Sequence, residues 1–145
     1  MSDLTRFITA QEHSFEQVCR ELAAGRKQSH WMWYVFPQLQ GLGRSETARY
    51  FGLADLQEAQ DYWQHPWLGP RLDYAAALVE ALRGRTAHDI FGSPDDLKFC
   101  SCLTLFEVVA PGHGRFANLL ERYYGGIRDR LTLDLLGIPG AGAQT

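Results

Sequence analysis

The run PDDLKFCSCLTLFEVVA, residues 94–110, decides the fold. Wound as a helix, Leu97, Phe99, Cys100, Cys102, Leu103, Leu105, Phe106, Val108 and Val109 leave it no predominantly polar face. A helix apolar nearly all round must be covered on every side, so residues 94–110 read as the central helix of a helical domain. Ser93, Pro94 and Asp96 mark its start: a capping hydroxyl, a proline in the first turn, and an acid at the positive end of the helix dipole.

On either side of this run apolar residues recur at helical spacing, and nowhere is there sustained two-residue alternation. Leu4, Phe7, Ile8, Phe15, Val18, Cys19 and Leu22 predict one helix over 3–24, stopped by Gly25, with Gln11 in the gap of its apolar stripe. A short helix over 29–36 ends at Pro37. The turn over 40–44 precedes Ser45, a candidate cap for another short helix. Asp55 and Glu58 open a helix that ends before Pro66, and another runs over 66–83 to Gly84. There the two prolines set the helix start and Trp67 is expected to pack. Thr86 caps a single turn through Phe91, and helices over 115–124 and 130–136, the second capped by Asp129, follow. The expectation is an all-α fold, a single compact irregular bundle of about six to eight helices, as one domain over 1–138 with a disordered tail over 139–145.

Composition narrows the function classes. A chain of 145 residues buries roughly two-thirds of its unfolded surface as one domain. A net charge of -3 argues against general nucleic-acid binding, although a local basic cluster can still hold one anion. No apolar run reaches the length of a membrane span, and MSDLTRF lacks the apolar core of a signal peptide, so a cytoplasmic protein is expected. Cys19, Cys100 and Cys102 lie in apolar segments and read as reduced, buried thiols. No His, Cys and carboxylate set has metal-ligand spacing, and no cofactor is indicated.

The functional signal lies elsewhere. Residues 25–47, GRKQSHWMWYVFPQLQGLGRSET, interleave aromatics with strong hydrogen-bond donors, and each donor needs a partner if buried. The chain's only lysines are Lys27 and Lys98, compact point charges in a protein whose other cations are arginines. Lys98, Ser101 and Thr104 make a polar stripe on the central helix. Lys98 there must reach a carboxylate (Asp95, Asp129 or Glu107), a bound anion or solvent. His30 reads as an acid/base, a ligand donor, or a histidine bonded to a backbone carbonyl. Trp33 or Tyr34 could offer a flat contact to a planar ring, or belong to the core with Trp31. Gly41, Gly43, Arg44 and Ser45 resemble a small anion nest at a helix start, or an ordinary capped turn. His88 and His113 read as surface residues.

LTRFITAQ, ELAAGRKQSHWMWYVFPQLQGLGRS, YWQHPWLGPRL, IFGSPDDLKFCSCLTLF and GGIRDRLTLDLL together resemble a bacterial family of uncharacterised proteins, catalogued as domain of unknown function 1810. The resemblance spans about residues 3 to 136. It implies a mainly helical fold and carries no reaction, substrate or catalytic residue with it.

The leading expectation is a pocket for a small anionic, nucleotide-like ligand, with hydrolase or transferase chemistry as an extension. Lys27, Arg44 and Lys98 would neutralise the ligand. Gln11, His30, Gln38, Gly43, Ser45 and Ser101 would supply directed hydrogen bonds, Trp33 or Tyr34 a flat face, and His30 with Lys98 any catalysis. The alternative is a protein-interaction module whose Trp31, Trp33 and Trp67 form one exposed apolar groove. Oligomeric state is left open.

Overall fold

A computed structural model describes residues 2–139. Among the described residues there are ten helical segments: α1 Thr5–Glu12, α2 Phe15–Ala23, α3 Met32–Val35, α4 Glu46–Phe51, α5 Leu56–Gln64, α6 Leu68–Ala81, α7 Ala87–Phe91, α8 Asp95–Val109, α9 Arg115–Tyr124 and α10 Arg130–Leu136. Seven have seven residues or more, and no strand is present among the described residues. The fold is all-α. Of the tail expected to be disordered, residues 140–145 lie outside the described residues.

The central helix is where its composition requires. Every α8 residue from Phe99 to Phe106 is buried, and α5, α7, α9 and α10 all pack against the helix. Phe99, Leu103, Leu105 and Phe106 are fully covered, each worth about 1.5–3 kcal/mol relative to exposure. Ser93 does not cap the helix: Pro94 occupies the N-cap position and makes no side-chain cap bond. The first turn is satisfied by the carbonyls of Gly92 and Pro94, which accept from Asp96, Leu97 and Lys98, and the serine hydroxyl is not needed.

Three other boundaries differ from expectation, and at each a side chain bonds the backbone near the altered end. The helix expected over 3–24 is broken at His13 and Ser14, where the Ser14 hydroxyl donates to the Ala10 carbonyl at 2.7 Å. The break lets α1 pack on α3 while α2 packs on α6. The helix expected over 29–36 shrinks to Met32–Val35, because the Gln28 and Ser29 amides donate to the Glu21 carboxylate instead. Helix α6 starts at Leu68, not at Pro66, and His65 caps it by accepting from the amides of Trp67 and Leu68 at 3.1 and 3.3 Å. Trp67 does not enter the core; it is 55% exposed and meets the His65 ring edge-on. Gly69 is dictated by the α5–α6 crossing, since a Cβ there would sit 1.9 Å from the Trp63 carbonyl oxygen.

Ser45, Asp55, Thr86 and Asp129 each cap a helix through the side chain, as their spacing predicts. After α3 the chain runs extended over Gln38 and Leu39 beside Leu53, joined by Gln40 N to Leu53 O at 2.8 Å and Leu53 N to Gln38 O at 2.9 Å. This pairing ties the loop over 38–43 to the segment that follows α4. Among the described residues no helix is long and apolar enough to cross a membrane.

Candidate functional site

A cleft of about 340 Å³ opens where three parts of the chain meet. Helix α8 and its approach supply Pro94, Leu97, Lys98 and Ser101; the loop supplies Gln38, Leu42 and Gly43; the start of α10 supplies Asp129 and Leu131. The Lys98 ammonium is 3.5 Å from one Asp95 oxygen and lies over the Trp33 ring, 5.1 Å from its centroid. The other Asp95 oxygen is 2.9 Å from the Lys27 ammonium, which lies 5.2 Å from the Trp31 centroid. Both lysines of the chain therefore face one carboxylate, and each is set over an indole, an arrangement that favours a cation by about 0.5–2 kcal/mol. Two ammoniums against one carboxylate leave positive charge in surplus.

The other cleft groups are only partly engaged. Ser101 donates to the Leu97 carbonyl at 3.2 Å and keeps its oxygen lone pairs. Gln38 lines both the cleft and a void of about 10 Å³ bordered by Trp33, Ala48, Phe51 and Gly52, room for a single water. Trp33 Nε1 is the one buried side-chain donor without a partner among the described residues. Asp129 is more fully used: its carboxylate accepts from the Thr132 amide at 3.1 Å and hydroxyl at 2.6 Å, and its amide donates to Thr104 Oγ1 at 2.9 Å. On the same helix, burial and the Asp129 charge push the Cys100 thiol up to about 11, which favours its protonated form.

The cleft gathers four of the residues singled out in the sequence, Lys98, Gln38, Gly43 and Ser101, with Lys27 and Trp33 directly behind Lys98. The others go elsewhere. His30 and Arg44 are exposed and do not line the cleft. Gln11 is buried and saturated, donating to the Tyr34 carbonyl at 2.7 Å and to Tyr62 Oη at 3.1 Å while accepting from Arg71. Tyr34 donates its hydroxyl to Ser14 and packs on Phe51, so its ring faces the core. Ser45 spends its oxygen on the Ala48 amide as a cap. Gly43 is required by proximity to α4, because a Cβ there would come within 2.5 Å of Ala48 Cβ. The aromatic groove does not form: Trp31 is 1% exposed and Trp33 half-buried, which leaves Trp67 by itself at the start of α6.

The polar group the sequence reading passed over is Glu21. It is buried on α2 and accepts from Gln17 Nε2, the Gln28 and Ser29 amides, Ser29 Oγ and Trp31 Nε1. Burial alone would raise its pKa, but the bonds from Ser29, Gln28 and Gln17 outweigh that and hold the carboxyl at about 2. The available signal was its place three residues after Val18, on the inward stripe of α2. Asp129, Leu97 and Leu131 were also missed as cleft walls, since a helix cap and two leucines carry no local mark of a site.

The fold and cleft together define an all-α bundle with a recess on its central helix that is lined by one ammonium, Lys98, and one carboxylate, Asp129. The chain belongs to the family described as "Protein of unknown function (DUF1810)", which matches residues 1–136. It is similar to the conserved hypothetical protein Rv1873 from Mycobacterium tuberculosis, whose crystal structure superposes with a TM-score of 0.92 at 50% sequence identity. That match covers 94% of this chain and 98% of the other. None of the curated proteins matches the chain.

Proposed function

We propose that the cleft on α8 binds a small anionic ligand, nucleotide-like in size, with its anionic group at the Lys98 ammonium. The observation that carries this reading is the charge imbalance: two lysines share one carboxylate, and the more exposed of them lines a cleft of ligand size. An ammonium held at 3.5 Å from half a carboxylate is under-compensated, and an arriving phosphate or carboxylate completes its coordination. Gln38 and Ser101 have hydrogen-bonding capacity left for the same group.

The uncharged part of the ligand lies against Leu42, Leu97 and Leu131. Leu97 and Leu131 are 64% and 62% exposed, so covering them is favourable at about 25 cal/mol per Å². Leucine walls take the place of the indole or phenol face expected from the sequence, because Lys98 covers Trp33 and Tyr34 turns inward. Catalysis by His30 is not part of the proposal, since that side chain is exposed and outside the cleft.

Thermal melting of the protein across a panel of nucleotides and small phosphate esters tests the reading. At a ligand concentration 100-fold above Kd, binding adds about 2.7 kcal/mol, a shift of several degrees. The shift is expected for the wild type and absent for Lys98→Met. A melting temperature indifferent to the whole panel sinks the proposal.

A further inference from the structure

We infer that Asp95 is a built-in counter-ion that competes with the ligand for Lys98, and that Lys27 sets anion affinity by holding Asp95 back. This rests on the cleft reading above and adds to it two positioning residues, neither of which lines the cleft.

The asymmetry of the cluster carries the inference. Lys27 is 2.9 Å from Asp95 and its side chain is 8% exposed; Lys98 is 3.5 Å away and 23% exposed. The Lys27 backbone is anchored by its amide, which donates to the Ile90 carbonyl at 2.7 Å, and the Trp31 ring beneath its ammonium is locked by Glu21 at 2.8 Å. Lys27 and Asp95 thus form the short, enclosed, rigid pair, and an ammonium buried that far requires its carboxylate. Lys98 is the looser partner, three residues along the same helix from Asp95 and facing the cleft. It can give up its share of Asp95 for an incoming anion because Asp95 remains paired with Lys27. Without Lys27, both Asp95 oxygens would turn to Lys98, and a ligand would have to displace a full counter-charge.

Simple charge counting also says that losing Lys27 weakens anion binding, so the test is a double-mutant cycle. Inorganic phosphate is titrated into wild type, Lys27→Met, Asp95→Asn and the double variant, with the Lys98 ε-ammonium resonance followed by NMR. Only two lysines are present, which makes the signal assignable. Lys27→Met should weaken phosphate binding about tenfold, a change of about 1.4 kcal/mol. Asp95→Asn should strengthen it, and in that background Lys27→Met should change Kd less than twofold, because the counter-ion it restrains has lost its charge. An equal factor in both backgrounds overturns the inference in favour of plain electrostatics. So does wild-type binding that Lys27→Met leaves unchanged, with the cleft reading intact. If Lys98 does not respond to phosphate in the wild type, the cleft reading falls and takes the inference with it. Should Asp95→Asn fold poorly, the crystal structure of Lys27→Met decides: Lys98 contracted onto Asp95 supports the inference, and an unmoved Lys98 refutes it.

Discussion

Glu21 and Asp95 are both enclosed carboxylates beside the tryptophan-rich segment, and they have opposite characters. Glu21 collects bonds from Gln17, Gln28, Ser29 and Trp31, and every one of these partners is internal. It is an architectural hub that ties the loop after α2 to the indole of Trp31. Asp95 instead divides itself between two ammoniums, one shut in and one facing a cleft. The difference teaches how to separate scaffold from site within one polar-aromatic segment: a polar group whose needs are met inside the fold is structure, and one that must share its counter-charge beside a cavity, as Lys98 shares Asp95, is available for a ligand.

The largest effect expected from this contrast is at the hub. Glu21→Ala strands the buried donors of Ser29 and Trp31 and should cost on the order of 4 kcal/mol. For a chain of this size that is roughly a 10 °C fall in melting temperature by calorimetry. A loss below a degree would mean that the loop holds without its carboxylate and that the contrast with Asp95 is false.

Acid should reproduce part of that loss. The Glu21 carboxyl titrates at about 2 in the folded protein against 4.5 ordinarily, so its contribution is complete above pH 4.5 and disappears as the pH falls toward 2. The amount is ~3 kcal/mol. Denaturant unfolding of wild type and Glu21→Gln across this window checks it. The two stability curves should converge on acidification, and parallel curves would show that Glu21 is not the titrating group.

A smaller and sharper test compares the two indoles. Trp31→Phe removes a donor that Glu21 uses at 2.8 Å and should destabilise by about 1–3 kcal/mol. Trp33→Phe removes a buried N–H that has no partner, so its hydrogen-bond term should be near zero or favourable. If urea unfolding gives the two variants equal losses, ring packing outweighs hydrogen bonding at both positions. Smallest of all is Lys98→Met, expected to change stability by less than about 1 kcal/mol because its ion pair is long and part-exposed. A loss above 2 kcal/mol would make Lys98 scaffold, like Glu21.

How far the sequence could be read depended on whether a feature is local. Caps at Ser45, Asp55, Thr86 and Asp129 were legible because a capping oxygen and the amide it satisfies are three residues apart. The burial of α8 was legible from its composition. The break at Ser14 and the shortened α3 were not, since the first turns on the Ser14 hydroxyl taking a helix carbonyl and the second on Glu21, seven residues before Gln28, reaching the loop amides. In the candidate site, Lys98, Gln38, Gly43 and Ser101 were found as polar or glycine positions that ordinary packing does not favour. Gln11 and Tyr34 carried the same mark, and the fold saturates them internally.

Residue types and their spacing alone determined that this chain is helical, which segment lies at its centre, where four of its helices are capped, and that it has two lysines to place. Tertiary structure alone decided that those lysines share Asp95, that His30 and Arg44 stay outside the cleft, and that leucines from α8 and α10 complete its walls. The physical reason is range: propensity and capping act across a few residues of chain, whereas pairing of charges and closure of a cleft depend on which distant segments the packed core brings within a few ångströms.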